Sequence, residues 1–349
     1  MTQDGQTTIV VEYIWIGGNE ELRSKARVLT VPSNLVGSVN LSMVPVWNYD
    51  GSSTVQAEGR DSEVIVKPVR ICRCPFRKGH NLLVLCDAYN PTGLPITTNT
   101  RYNANIIFNK KPEEKPWFGI EQEFFMIDAK TDRPLGFNNE VRENPVQQGQ
   151  YYCSIGAGNA FGRDVIEEAL SNMLFAELKV SGINAEVAPG QWEYQIGPVE
   201  GIDAADQMWL SRYILERTAE KYNVKIDYHP KPLGKDADWN GSGCHTNFST
   251  QRMREDGGID VIIEAVKKLE QKHSEHMTVY GKFNDMRMSG KHETASFDKF
   301  TYGKANRGAS VRIGNAVYAE GKGYFEDRRP ASNADPYLVT SKIFETTCL

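Results

Sequence analysis

The stretch Asn184-Ala185-Glu186-Val187-Ala188-Pro189-Gly190-Gln191-Trp192-Glu193-Tyr194-Gln195 reads as two strand arms around a Pro-Gly turn. With Pro189-Gly190 as the tip, Glu186 would lie directly opposite Glu193. Like charges facing each other across a ladder are destabilising. A bridging cation would reverse that, because hard divalent cations favour carboxylate oxygens; a solvated pair is the alternative. Helices are predicted around this hairpin over 164–180 (closed by Ser181-Gly182), 204–222 and 259–276, where apolar residues recur three and four apart. Gly119 to Ile127 is predicted as a further strand.

Upstream the pattern is different. Tyr13-Ile14-Trp15-Ile16 precedes Gly17-Gly18, after which Leu22, Ser24, Ala26 and Val28 alternate with Arg23, Lys25 and Arg27. Val64 to Pro68 and Asn81 to Cys86 read as more strands. The segment from Asp87 to Pro116 carries five prolines and glycines (Pro91, Gly93, Pro95, Pro112, Pro116) and marks a boundary. The fold class is therefore α+β, with a small β-rich domain before a larger mixed one.

Composition excludes several functions. The chain has 349 residues, room for about two domains. Its 40 Lys and Arg against 45 Asp and Glu give a net charge of -5, which argues against non-specific nucleic-acid binding. No run of about 18 apolar residues could span a bilayer, and Met1 to Thr8 has neither an apolar nor an Arg-rich targeting pattern. The six cysteines form no short regular framework, and Cys72-Arg73-Cys74 is not a zinc or thioredoxin spacing. A reducing, cytoplasmic setting is expected, without membrane or nucleic-acid partners.

Other residues could join a site with the hairpin glutamates. Glu121 and Glu123 share one face of their strand, as catalytic carboxylates or as a solvated edge. In Asn240-Gly241-Ser242-Gly243-Cys244-His245-Thr246-Asn247-Phe248-Ser249, the glycines permit close approach of backbone to a ligand. His245, Asn247 and Ser249 would face one side of the following strand, and Cys244, Thr246 and Phe248 would pack on the other. Arg307, Arg312 and Arg328 surround Glu326 in the sequence and suit recognition of carboxylate or phosphate, or plain surface ion pairing. Gly156 to Gly162 misses the dinucleotide fingerprint by one residue, leaving only a weak case for phosphate at a helix N-terminus. Walker, zinc-protease and serine-hydrolase motifs are absent. Spacing alone supports a metal-dependent site fit for phosphoryl chemistry on a carboxylate, with the substrate open.

Trp47-Asn48-Tyr49-Asp50-Gly51-Ser52-Ser53, Gly119-Ile120-Glu121-Gln122-Glu123, the 184–197 hairpin, the 240–249 segment, Lys291-His292-Glu293-Thr294-Ala295 and Asn306-Arg307-Gly308-Ala309-Ser310-Val311-Arg312 together resemble the glutamine synthetases, in their shorter eukaryotic-like (type II) form. The likeness runs in order from about Tyr13 to Leu338. It implies an N-terminal β-grasp domain over 1–104 and a catalytic domain over 105–349, an antiparallel sheet with helices. It also implies a ring-forming homo-oligomer, a decamer of two stacked rings, with active sites between neighbouring subunits.

The implied reaction joins ammonia to glutamate with ATP through a γ-glutamyl phosphate, using two or more Mg2+ or Mn2+ ions. By motif position, Glu123, Glu186 and Glu193 would hold one metal, and Glu121, His245 and Glu326 the other. Asp50 would take a proton from ammonium in the neighbouring subunit's site. Glu293 would shield the acyl phosphate and accept a proton later. Arg287, Arg307 and Arg328 would handle glutamate carboxylates and phosphate, Arg307 in the catalytic step as well, with Trp239, Asn240 and Gly241 lining the glutamate pocket. Glu121, Glu193, Asn247, Phe248, Ser249, Arg307, Arg312, Tyr324 and Phe325 would contact ATP, with the stretch up to Pro198 nearby. Phe283 to Met288 departs from the family's more basic run, although Arg287 keeps its six-residue spacing to Glu293. Ligation of a larger amine, or a ring protein without catalysis, are the competing readings; the intact Asp50 and Glu293 motifs favour ammonia, and the complete ligand set argues against lost catalysis.

Overall fold

The computed structural model describes residues 5–137 and 149–349. Within them the chain forms two units: one runs to Asn105 and takes in Asn172–Leu178, and the other comprises Ile106–Ser171 and Lys179–Leu349. The first unit holds β1 (Gln6–Ile16), β2 (Leu22–Pro32), β3 (Trp47–Asp50), β4 (Glu63–Arg73) and β5 (Leu82–Tyr89). They lie in the order β2-β1-β5-β4-β3, with β1 and β5 parallel and the other neighbours antiparallel, as in a β-grasp sheet. Alternation buries Val11, Tyr13 and Trp15 of β1 with Val64, Val66 and Val84. On β2 the core side carries Lys25 and Arg27, paired with Tyr13 and Val11, and their cations lie 3.8 and 5.6 Å from the Trp47 ring. Val28 faces outward and is 63% exposed. Pro68 cannot donate to the ladder, and the β4–β5 register slips beside it.

The rest of the chain runs α1 (Thr100–Phe108), β6 (Trp117–Asp128), β7 (Arg133–Pro134), α2 (Arg163–Phe175), β8 (Val180–Ala185), β9 (Gln191–Glu200), α3 (Ile202–Glu220), β10 (Val224–Asp227) and β11 (Cys244–Ser249). It continues through α4 (Gln251–Arg254), α5 (Gly258–Gln271), α6 (His273–Met277), α7 (Asn284–Arg287), β12 (Tyr302–Lys304), β13 (Val311–Ile313), α8 (Asn315–Glu320), β14 (Phe325–Asp327) and α9 (Pro336–Cys348). The second sheet has the order β12-β13-β14-β11-β6-β9-β8, with β7 and β10 also paired to β6.

Strand β6 is the centre of this sheet, and its period of two decides what each face does. Phe118, Ile120, Gln122, Phe124 and Met126 are buried on one side. Helix α3 packs there: Arg212 donates to Gln122 Oε1 at 2.8 and 2.6 Å and to the carbonyls of Ser332 and Ala334 at 3.0 Å each. Tyr194 of β9 meets Ser211 of α3 at 2.9 Å on the same side. The opposite side of β6 presents Glu121 and Glu123.

Three sequence expectations are corrected. The hairpin pairs Asn184 with Glu193 and Ala185 with Trp192, and Glu186 N donates to Gln191 O at 2.9 Å, so Glu186 is not opposite Glu193. The turn takes four residues, 187–190, with Gly190 at φ 70°, rather than Pro189-Gly190 alone. The slip preserves parity, so both glutamates keep the same side. Helix α2 ends at Phe175, and Val180 to Gly182 lie in β8. Its stop is Glu177 at φ 61°, with Leu178 N donating to Met173 O at 3.1 Å, a left-handed cap without glycine. The predicted 259–276 helix breaks at Lys272 into α5 and α6.

Candidate active site

Five strands aim polar side chains at one side of the second sheet. Registration sets His245 of β11 opposite Glu121, Asn247 opposite Glu326 of β14, and Arg312 of β13 opposite Glu326. Across the other edge of β6, Glu123 faces Glu193 directly and Glu121 faces Gln195. The like-charge pair proposed across the hairpin therefore exists between β6 and β9.

His245 Nδ1 stands at the middle, 3.5 Å from Glu121, 3.9 Å from Glu123 and 3.6 Å from Glu326. Ligand atoms of Glu121, His245 and Glu326 lie within 4.8 Å of one another, as do those of Glu123, Glu193 and His245. Glu186 lines the same cavity but falls outside both groupings; its carboxylate accepts from Asn184 Nδ2 at 2.9 Å and Val187 N at 3.2 Å. Glu123 accepts from Gly243 N at 2.7 Å. Gly243 is required there, because a Cβ would stand 2.7 Å from His245 Nε2.

Burial, then the neighbouring carboxylates, raise the pKa of Glu123, Glu186 and Glu193 above the ordinary carboxylate value. Burial, reinforced by Arg328, lowers that of His245 well below its ordinary value, so its imidazole is neutral. Crowded, desolvated carboxylates around a neutral imidazole fit hard divalent cations.

These residues line a cavity of about 600 Å³ together with Glu293, Arg307, Arg312 and Arg328. Arg328 donates to Glu326 at 2.8 Å and Arg312 pairs with it at 2.7 Å. Arg307 side by side with them is exposed, and its carbonyl accepts from Arg328 Nε at 3.1 Å. Next to it is an aromatic cavity of about 460 Å³ lined by Trp117, Phe118, Phe248, Pro198, Asn247, Ser249 and Tyr324. Glu121 and Gln195 line both. Arg254 stacks 4.0 Å from the Trp117 ring and donates to Ser249 Oγ at 3.0 Å. Asn247 Nδ2 donates to Glu121 at 2.8 Å.

Other candidates sit elsewhere. Phe325 lines neither cavity; it is fully buried against Phe248, with ring centroids 5.5 Å apart. Arg287 is buried and does not line the acidic cavity: its Nη2 donates to the carbonyls of Arg328, Arg329 and Pro330 at 3.0, 2.8 and 3.2 Å. Trp239 packs into an apolar cluster with Phe125, Ile127 and Tyr151, and Asn240 and Gly241 follow it into β11 outside the cavity lining. Gly241 O accepts from Gln191 Nε2 at 3.1 Å, and a Cβ on Gly241 would meet Pro230 O at 2.1 Å.

Asp50 belongs to the first unit and is exposed. Its carboxylate accepts from Ser53, Ser62 and Ser52 hydroxyls at 2.6, 2.7 and 2.8 Å, which hold it far below the usual carboxylate range. The sequence reading missed Tyr152 on the wall of the acidic cavity and Trp117 and Arg254 on that of the aromatic one, which lie outside its motifs, and gave no role to Asn184. Asn247, Phe248, Ser249 and Tyr324, expected at ATP, and the β9 stretch running to Pro198 do fall on the aromatic cavity.

Residues 104–276 match the family described as glutamine synthetase, catalytic domain. A putative glutamine synthetase of Acanthamoeba polyphaga mimivirus is 57% identical over 97% of this chain and 94% of its own length. Glutamine synthetase N-1 of Phaseolus vulgaris and glutamine synthetase cytosolic isozyme 1-3 of Arabidopsis thaliana are each 53% identical, over 99% of this chain and 96% of theirs.

Proposed function

Because this chain belongs to the glutamine synthetase family, in its eukaryotic-like branch, we infer that it joins ammonia to the γ-carboxyl of glutamate by way of a γ-glutamyl phosphate, with ATP as phosphoryl donor. The observation that carries this reading is the adjacency of the two cavities, which share Glu121 and Gln195 in their walls. An aromatic slot suited to a nucleotide base lies beside an acidic chamber lined by Arg307, Arg312 and Arg328, with Glu121 and Gln195 between them. That order is the one needed to present a terminal phosphate to a bound carboxylate.

In this reading Glu123, Glu186 and Glu193 would hold one divalent cation and Glu121, His245 and Glu326 another, Mg2+ or Mn2+. Bound there, the cations would neutralise charge on the nucleotide phosphates and the transferring group. Phe248, Tyr324, Asn247 and Ser249 receive the nucleotide; Phe325 supports Phe248 from behind. Arg307 and Arg328 steer the glutamate carboxylate and transferring phosphate, and Arg312 lies toward the nucleotide. Arg287, committed to three carbonyls, shapes the backbone of 328–330 and packs against Gly241. The glutamate side is assigned to Trp239, Asn240 and Gly241, which stand behind the lining of the acidic chamber.

Glu293 closes the chamber against water and later accepts a proton. Asp50 acts on ammonium in the neighbouring subunit of a homo-oligomer, for which a decamer of two stacked rings is the proposed form. Its serine-rich setting keeps it anionic, which suits attraction of ammonium. The cytoplasm is the proposed location; plant relatives are named cytosolic isozymes, and among the described residues no helix is long and apolar enough to cross a membrane.

The test follows oxygen. With glutamate labelled by oxygen-18 in the γ-carboxyl, one label per glutamine is expected in the released phosphate. Phosphate free of label would exclude the acyl phosphate.

A further inference from the structure

Residues 289–296 form a strap whose ends are pinned to each other, Ser289 bridging Ser296 and Gly290 N donating to Ala295 O at 3.3 Å. At its tip two successive residues, His292 (φ 53°) and Glu293 (φ 60°), occupy the left-handed region. Neither is glycine, so this backbone persists only where its surroundings hold it, and such strain collects at functional sites. The contacts that hold it are specific. Thr294 N donates to Lys291 O at 3.1 Å, Arg328 Nη2 donates to Glu293 O at 3.2 Å, and His292 Nε2 lies 3.1 Å from Asp238 Oδ1.

The last contact differs in kind from the others. Asp238 comes immediately before Trp239-Asn240-Gly241, and Glu293 lines the acidic cavity. The bond therefore joins the strap to the loop assigned to glutamate. The His292 side chain is 18% exposed and that of Asp238 68%, so the imidazole is seated while its partner reaches in from solvent. A neutral imidazole with Nε2–H donating suffices for the bond.

We propose that His292 and Asp238 are positioning residues for the ligase reaction: their hydrogen bond latches the Glu293 strap over the chamber while the acyl phosphate awaits ammonia. This rests on the function proposed above. With the strap unlatched, water in place of ammonia attacks the γ-carbonyl and expels phosphate, returning glutamate and phosphate with ADP already formed. The signature is ATP use without glutamine.

The experiment measures phosphate released per glutamine formed. In wild type the ratio is expected to be near one. In Asp238→Ala it is expected to rise about 2- to 5-fold, the range open to a partly exposed pair, with KM for ATP unchanged. Asp238→Asn keeps an acceptor and is expected to stay coupled. The double variant Asp238→Ala with His292→Ala is expected to leak no more than His292→Ala alone, since one bond is lost in each. A ratio near one in Asp238→Ala, or effects that multiply in the double variant, overturns the latch and leaves the ligase reading standing. A wild-type protein that forms no glutamine overturns both.

Discussion

Glu293 combines a left-handed backbone, an exposed carboxylate and a place on the cavity wall. Replacing it by Ala is expected to lower glutamine formation by about 100-fold or more, the range for loss of a proton acceptor, while glutamate-dependent ATP turnover continues. Glutamine formation at the wild-type rate in that variant would remove Glu293 from the mechanism. Much of the residue-level site was legible in the sequence, because strand periodicity assigns faces. The period of two by itself puts Glu121 with Glu123 on one side, and His245 with Asn247 and Ser249. It says nothing of Asp238, Tyr152 and Arg254, which reach their places through loops and short turns whose paths no period encodes. Phe325 shows the opposite failure: a motif placed it beside the nucleotide, but its strand parity turns it inward, next to the outward Glu326.

At the scale of elements, the β6–β9 ladder holds its glutamates at a cost that a cation removes. Burial, then neighbouring carboxylates, push Glu123 up to about 8 and Glu193 up to about 9 from an ordinary 4.5. Folded, these groups bind protons that the unfolded chain has released, so their contribution to stability falls as pH rises through that window. His245, lowered when folded, opposes the trend only while the unfolded imidazole still holds its proton, and no longer does so above about pH 7.5. The metal-free protein is therefore expected to lose several degrees of Tm between about pH 6.5 and 8 (roughly 2–4 °C per kcal/mol), and Mg2+ to raise Tm more at pH 8. Thermal melts with and without Mg2+ check this; a metal-free Tm that stays flat or climbs would contradict it. On the reverse of β6, Arg212→Ala is expected to cost about 3 kcal/mol, because Gln122 Oε1 and two carbonyls lose a buried donor. A denaturant midpoint near wild type would show that this network contributes little. The hairpin was legible as a hairpin but not in register, since the four-residue turn takes Val187 and Ala188 from the first arm and shifts the pairing by two. Helix α2 stopped early because its cap is a glutamate, where the sequence reading looked for glycine.

For the whole molecule, the homo-oligomer proposed above gives Asp50 its meaning. Asp50→Ala is expected to raise the KM for ammonium by more than that for ATP; equal rises would sink the assigned role. Asp50→Ala and Glu293→Ala chains, dissociated and reassembled as an equal mixture, are expected to recover glutamine synthesis at about a quarter of the sites, those that combine both intact residues from different subunits. Mixtures as inactive as their parents would place Asp50 and Glu293 in one subunit's site or in none. The α+β class and the β-rich beginning were legible from periodicity, composition and the run of prolines and glycines between 91 and 116. Subunit arrangement was not, because exposed residues such as Val28 and Val55 read alike on a free surface and on a covered one.

The most direct measurement supplies purified protein with Mg-ATP and glutamate and offers ammonium, ethylamine, putrescine and spermidine in parallel. Glutamine with ammonium, and no comparable product from the larger amines, is the expected result. Product from a larger amine but none from ammonium would contradict it, leaving the metal and nucleotide assignments in place and removing the role given to Asp50.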